Sequence, residues 1–191
     1  MAKSFSIEDS GTAILTTAEA KQHLKVDTTA DDTYIDNLIS AATESAQIFT
    51  NRYFIETTLD QFGDNWNDIA TLFKSPVTTV DYIKYYDSDN TEQTLAASVY
   101  LVDTKHQPAR IALKPSQSFP SLADRINAIN VKYDVGYGTA ASDVPEGIRQ
   151  AVLLTIGNWY ENRQEVVVGR IATELPKSAQ YLLEQFKVQT V

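Results

Sequence analysis

Cysteine is absent from this 191-residue chain and methionine occurs once. Disulfides, thiolate metal sites and a cysteine nucleophile are therefore excluded, and the composition fits a reducing compartment. Histidine is nearly absent: His23 and His106 are the only two, and neither has a companion at metal-ligand spacing. Both read as incidental helix or surface residues. No stretch approaches the roughly 20 apolar residues that a membrane span needs, and the amino-terminal residues lack the basic segment and apolar run of a secretory signal. The expectation is a soluble protein made in the cytoplasm, with no membrane partner. Positive charge is scarce as well. Residues 1–100 hold 6 Lys or Arg against 16 Asp or Glu, a net of −10, while residues 101–191 hold 10 against 9, a net of +1. Backbone binding to nucleic acid needs clustered cations that release counterions, and neither half supplies such a cluster. Sequence-specific DNA binding is not expected.

The residues that are present fall into an ordered series of patterns. Residues 1–14 carry small polar residues without periodicity and read as a flexible arm. Thr16 with Glu19 three residues later is a capping box, which predicts a short helix over about 17–25. Ile35, Leu38, Ile39, Ala42, Ala46 and Phe49 step by three and four, giving one apolar stripe on a helix from about 30 to 50. The amino-terminal helices thus occupy 15–51. From 52 to 138 the texture changes to short runs of Thr, Val, Ile and Tyr broken by turn residues. Strands are expected near 56–62, 69–73, 77–86, 91–95, 99–103, 108–113 and 129–135, with Asp87-Ser88-Asp89-Asn90 closing a hairpin. After Asp143-Val144-Pro145-Glu146, a cap with proline in the first turn, Ile148, Ala151, Val152, Thr155, Ile156 and Trp159 define a core helix over 143–164. A loop and a last helix opened by Pro176 fill 165–191. The fold class is α+β: three to four helices form a framework into which a small β-rich subdomain is inserted.

Signatures of catalysis or cofactor binding are poor. Gly136-Tyr137-Gly138-Thr139-Ala140-Ala141 has the spacing of a dinucleotide fingerprint, but the helix starts only after Pro145, so no glycine-flanked helix terminus meets a pyrophosphate. It reads as a turn between the last strand and the core helix. Asp87-Ser88-Asp89-Asn90-Thr91 begins like a calcium loop, yet Glu92 and Ser98 stand where that loop wants Gly and a bidentate Glu. Asp60, Asp64 and Asp68 around Gly63 and Trp66 read as a solvated loop. Trp159 and Tyr160 read as core or subunit contact before a ligand cage. No catalytic residue, metal ligand or cofactor is assigned. A small hydrolase with scattered residues is the enzyme alternative.

The remaining signal is contact surface. Val166, Val167 and Val168 form an apolar run between two helices, outside any periodic pattern, as surfaces that meet another protein do. Trp159-Tyr160-Glu161-Asn162-Arg163, the valine–glycine stretch, then Glu174-Leu175-Pro176 and Leu182-Leu183 form an ordered series. Together with Asp143-Val144-Pro145, Gly136-Tyr137-Gly138 and Leu24-Lys25-Val26-Asp27 before Asp31 and Asp32, it resembles the head-tail adaptor (connector) proteins of tailed bacteriophages, over roughly residues 15–188. The resemblance implies a structural virion protein in the neck between head and tail. Its implied partners are the portal protein, a further neck or tail protein such as a stopper or tail terminator, and copies of itself in a ring of twelve. Genomic DNA would pass the lumen without sequence-specific binding. Family knowledge gives the carboxy-terminal part as the portal-docking segment, which maps here to Leu175, Pro176, Leu182, Leu183, Phe186 and Val188, with the three valines. If the last helix is mainly a docking element, a chain ending at Glu174 melts cooperatively within a few degrees of the full chain yet fails to join portal-containing heads. The alternatives are another neck or tail-completion protein, or a non-viral protein-binding module.

Overall fold

The computed structural model describes residues 4–9, 13–162 and 175–188, so the run Val166–Val168 lies outside the described residues. The chain divides into two compact units. One is helical, Thr12–Ile55 with Gly138–Lys187; the other is built on Glu56–Tyr137 and also takes in the chain ends.

In the helical unit, α1 (Thr17–Leu24) starts where the capping box places it. The Thr16 hydroxyl accepts from the Glu19 amide at 3.2 Å, and the Glu19 carboxylate accepts from the Thr16 amide at 2.8 Å. Leu15 and Ala20, on either side of the cap, are buried. The helix α2 (Asp32–Thr50) buries Ile35, Leu38, Ile39, Ala42 and Ala46, but Thr50 rather than Phe49 closes the stripe. The Thr50 hydroxyl donates to the Ala46 carbonyl at 2.8 Å, so the polar side chain is satisfied inside its own helix. The helix α3 (Glu146–Glu161) buries Ile148, Ala151, Val152, Leu153, Thr155, Ile156 and Trp159 and packs against both earlier helices. It begins directly after Pro145, inside the expected span of 143–164. Residues Ala141–Asp143 form a 3-10 turn, and the Asp143 carboxylate accepts from the Ala140 amide at 3.0 Å instead of capping α3. Gly138 makes room for that turn. Its φ is +156°, and a Cβ there would stand 2.3 Å from Asp143 Oδ2.

Glu19 has a second role. Its carboxylate accepts from the Arg149 guanidinium of α3, tying α1 to α3. The Thr16 amide, first of all, and then Arg149 hold the Glu19 carboxyl below its ordinary value of 4.5. A depressed folded-state value means stability present at neutral pH and lost as pH falls through it. Glu19→Gln is therefore expected to lower the melting temperature at pH 7, and the gap from the parent chain should close as the pH drops below 4.5. Thermal melts across pH 3 to 7 check this; a gap that stays constant would remove the carboxylate from the account.

The β unit is an antiparallel sheet in the order β1-β2-β7-β3-β4, formed by Ser4–Asp9, Thr57–Gly63, Ile129–Val135, Val77–Tyr86 and Glu92–Thr94 respectively, plus a two-stranded ribbon of β5 (Tyr100–Asp103) and β6 (Arg110–Leu113). Two expectations need correction. The amino-terminal segment is not a free arm throughout, because Ser4–Asp9 pairs along β2 from Ser4↔Phe62 to Asp9↔Thr58. The pairing has a physical cause: β2 is interior, with Asp60 and Gln61 buried, and its second edge needs a hydrogen-bonding neighbour. Residues 69–73 do not form a strand. The buried Gln61 side chain holds that segment instead, donating to the Asp68 and Thr71 carbonyls at 3.3 and 3.1 Å and accepting from the Phe73 amide at 3.0 Å. Only a bridge, Thr71↔Arg110, joins it to the ribbon.

Candidate docking surface

Pro176, itself extended, is the N-cap of α4 (Lys177–Glu184) and leaves the helix free to run from the next residue. Helical spacing then sorts its side chains. Ala179 and Leu183, four apart, are fully buried, and Leu175 is buried just ahead of the helix. The helix packs on α3 and, more lightly, on α2. At its end the Phe186 ring lies against Gly147 of α3, where a Cβ would be 3.3 Å away. The Phe186 carbonyl accepts from Arg52 Nε, and the Lys187 ammonium sits 4.6 Å from the centroid of the Phe49 ring.

The residues assigned to docking from the sequence therefore separate. Leu175 and Leu183 belong to the core of the helical unit, and Val188 is buried too, so these three do not present a surface. Pro176, Leu182 and Phe186 are half-buried. In the helical unit, two exposed large apolar residues escaped the sequence reading. Tyr181 is 84% exposed on the outer face of α4, beside Leu182, and Ile48 is 71% exposed on α2. Ile48 stands off the α2 stripe, and that position was its only signal. Tyr181 gave none, because α4 carries apolar residues on more than one side.

Of the polar groups weighed for other chemistry, Asp60 is buried in β2 rather than solvated in a loop, and the others are occupied by structure. The Asp87 carboxylate accepts from the Thr91 amide, the Gln93 side-chain amide and the Asp89 amide, each at 3.0 Å, closing the β3–β4 turn, and these bonds hold its carboxyl below the ordinary range. Asp68 accepts from the amides of Asp64 and Asn65, and Asp64 from that of Asn127 at 2.7 Å. His106 Nδ1 lies 2.8 Å from the Pro108 carbonyl inside the β5–β6 turn, and His23 Nε2 lies where α1 passes Gly157 of α3. Trp159 is core, and the Tyr160 hydroxyl donates to Asp31 at 2.6 Å. Gly136 and Gly138 form the turn expected of them, both at positive φ. No helix among the described residues is long and apolar enough to cross a membrane.

Fold and surface together define an α+β protein with one helical unit and one unit built on an antiparallel sheet. The chain belongs to the head completion protein family, whose model matches residues 13–171. Solved structures share the fold. A chain from the virion of a native gene transfer agent particle is similar at 20% identity with a TM-score of 0.75, over 98% of this chain and 96% of that one. A chain from the neck of an empty gene transfer agent particle, computed with C6 symmetry, is similar at 21% identity and TM-score 0.73, over 98% and 97%. A third, from the neck of a native particle computed with C12 symmetry, gives 22% identity and TM-score 0.68, over 100% and 97%. No curated protein matches the chain.

Proposed function

We propose that this protein is a head-tail adaptor of a phage-like particle: a non-catalytic neck component that assembles as a ring of twelve between the portal at the capsid vertex and the tail. Membership of the head completion family over residues 13–171 carries the reading. The end-to-end likeness to chains of gene transfer agent necks, one of them computed with C12 symmetry, supports both the place and the copy number. The chemistry agrees. A net charge of −9 without a cationic cluster lets DNA pass a lumen without adhering. On the portal side we assign the exposed face of α4, Tyr181 with Leu182, together with Val166–Val168. On the other side the ring meets a stopper or tail-terminator protein.

The test is reconstitution. Purified protein is added to portal-bearing heads that lack it, and the vertex is imaged. The expected result is a twelve-fold ring on the portal. Tyr181→Asp should weaken that attachment at least about tenfold while leaving the melt unchanged, since an exposed side chain contributes little to folding and an aromatic anchor contributes much to an interface. Protein that stays in solution, or that joins only free tails, overturns the assignment, the second result in favour of a tail-completion role.

A further inference from the structure

Three of the five large apolar side chains exposed among the described residues lie in the β unit: Leu101 and Leu113 on the ribbon, and Ile126 in the loop that leads into β7. Ile126 is 78% exposed, yet both of its neighbours are fixed. The Arg125 guanidinium lies 3.8 Å from the Tyr86 ring centroid and donates to Asn90 Oδ1 at 3.2 Å. On the other side the Asn127 amide donates to Asp64, with Asn127 at φ +53°, and Ala128 is fully buried. Farther back, the Phe119 ring stacks on Trp66 at 4.3 Å, and the Trp66 indole donates to the Pro120 carbonyl at 3.0 Å. The loop thus holds a branched apolar side chain out in water with its ordering cost already met by the fold, the arrangement of a docking knob.

Charge distinguishes the two patches. The knob sits at the end of the sheet where Asp64, Asp68, Asp87, Asp89 and Asp124 gather and outnumber Arg125, and Asp64, Asp89 and Asp124 are exposed. The ribbon is basic: residues 100–114 carry Lys105, Arg110 and Lys114 against Asp103 alone. Leu101, 51% exposed, pairs across the ribbon with exposed Ala112, and beside them Arg110 meets Asp103 at 2.6 Å. Among the described residues no ion pair joins the acidic end to the basic ribbon. One surface is apolar with an acidic rim, and the other is apolar with a basic rim.

Resting on the ring reading above, we infer that the Ile126 knob of one copy docks on the β5–β6 ribbon of the next, a head-to-tail contact that closes the ring through the β unit. A heterologous contact of this kind uses two different patches on each copy and therefore propagates until it closes. The opposite rims set its direction, because like-charged rims disfavour knob against knob and ribbon against ribbon.

The experiment uses the full chain on portal-bearing heads, with wild type as the reference. Ile126→Asp and Leu101→Asp should each keep the wild-type melt and each fail to form rings. Mixed one to one, they should yield a dimer and nothing larger, because one intact knob meets one intact ribbon and neither partner can extend further. Asp124→Lys and Lys105→Glu should each lower assembly about tenfold or more, and the chain carrying both reversals should recover it. Rings of normal size from Ile126→Asp, or a mixture that yields no dimer, would overturn this contact and leave the ring reading standing. A wild-type chain that forms no ring on the portal would remove the ring reading itself, and this contact with it.

Discussion

A chain ending at Glu174 is expected to lose cooperative folding of its helical unit. The removed segment carries Leu175, Ala179 and Leu183, all buried, and the Phe186 carbonyl that receives Arg52. Burying Leu175 and Leu183 contributes about 3 to 6 kcal/mol together, an upper estimate because the unfolded chain is already partly compact. Typical stabilities are about 5 to 15 kcal/mol, so the loss takes a large share of the total and leaves part of the α3 surface bare. The readouts are circular dichroism melts and dye binding to exposed apolar surface. A cooperative transition within a few degrees of the full chain would restore α4 to a purely docking element, as the family resemblance alone suggests.

Val167→Asp has the opposite signature: the melt is expected to stay unchanged and attachment to portal-bearing heads to be lost. Val166, Val167 and Val168 stand between Glu165 and Gly169 in a half of the chain that is nearly neutral, so the contact we propose for them is apolar rather than ionic. An ionised carboxylate placed in such a contact is desolvated without a partner, at a cost of several kcal/mol. Sedimentation of heads with bound protein measures the loss. Because the contact is apolar, attachment of the parent chain should persist in high salt, where exposed charge pairs are screened. Normal attachment of the variant would show that the valines face elsewhere.

The helices were legible because their signals are local. Thr16 and Glu19 form the cap that their spacing announces, and the α2 stripe is buried from Ile35 to Ala46. Most strands were legible for the same reason, since alternation and turn residues are adjacent in the chain. What escaped depends on partners distant in sequence. Ser4–Asp9 carries little intrinsic signal and becomes a strand because β2, about fifty residues on, has a buried edge to satisfy. Residues 69–73 look like a strand, but the Gln61 side chain takes up their backbone groups first. Asp143 has the right chemistry to cap α3, and the turn over Gly138 claims its carboxylate instead. In α4 the apolar residues outnumber those one face can bury. Periodicity therefore did not separate Leu183, wholly inside, from Leu182 and Tyr181, turned partly or fully outward.

The division of the chain sets a timetable for synthesis. α2 ends at Thr50 and α3 begins at Glu146, with the greater part of the β unit written between them. At a translation rate of 5 to 20 residues per second, the 95 intervening residues take about 5 to 20 s to make. Over that interval the oily stripe of α2 leaves the ribosome while α3 and α4, which pack on it, are still unmade. The sheet can close before the helical unit is complete, since β1, β2, β3 and β7 all precede Gly138. The nascent protein thus carries a finished module next to an adhesive, half-built one, and the last helix is both the final piece of the helical unit and the step that ends its exposure to aggregation.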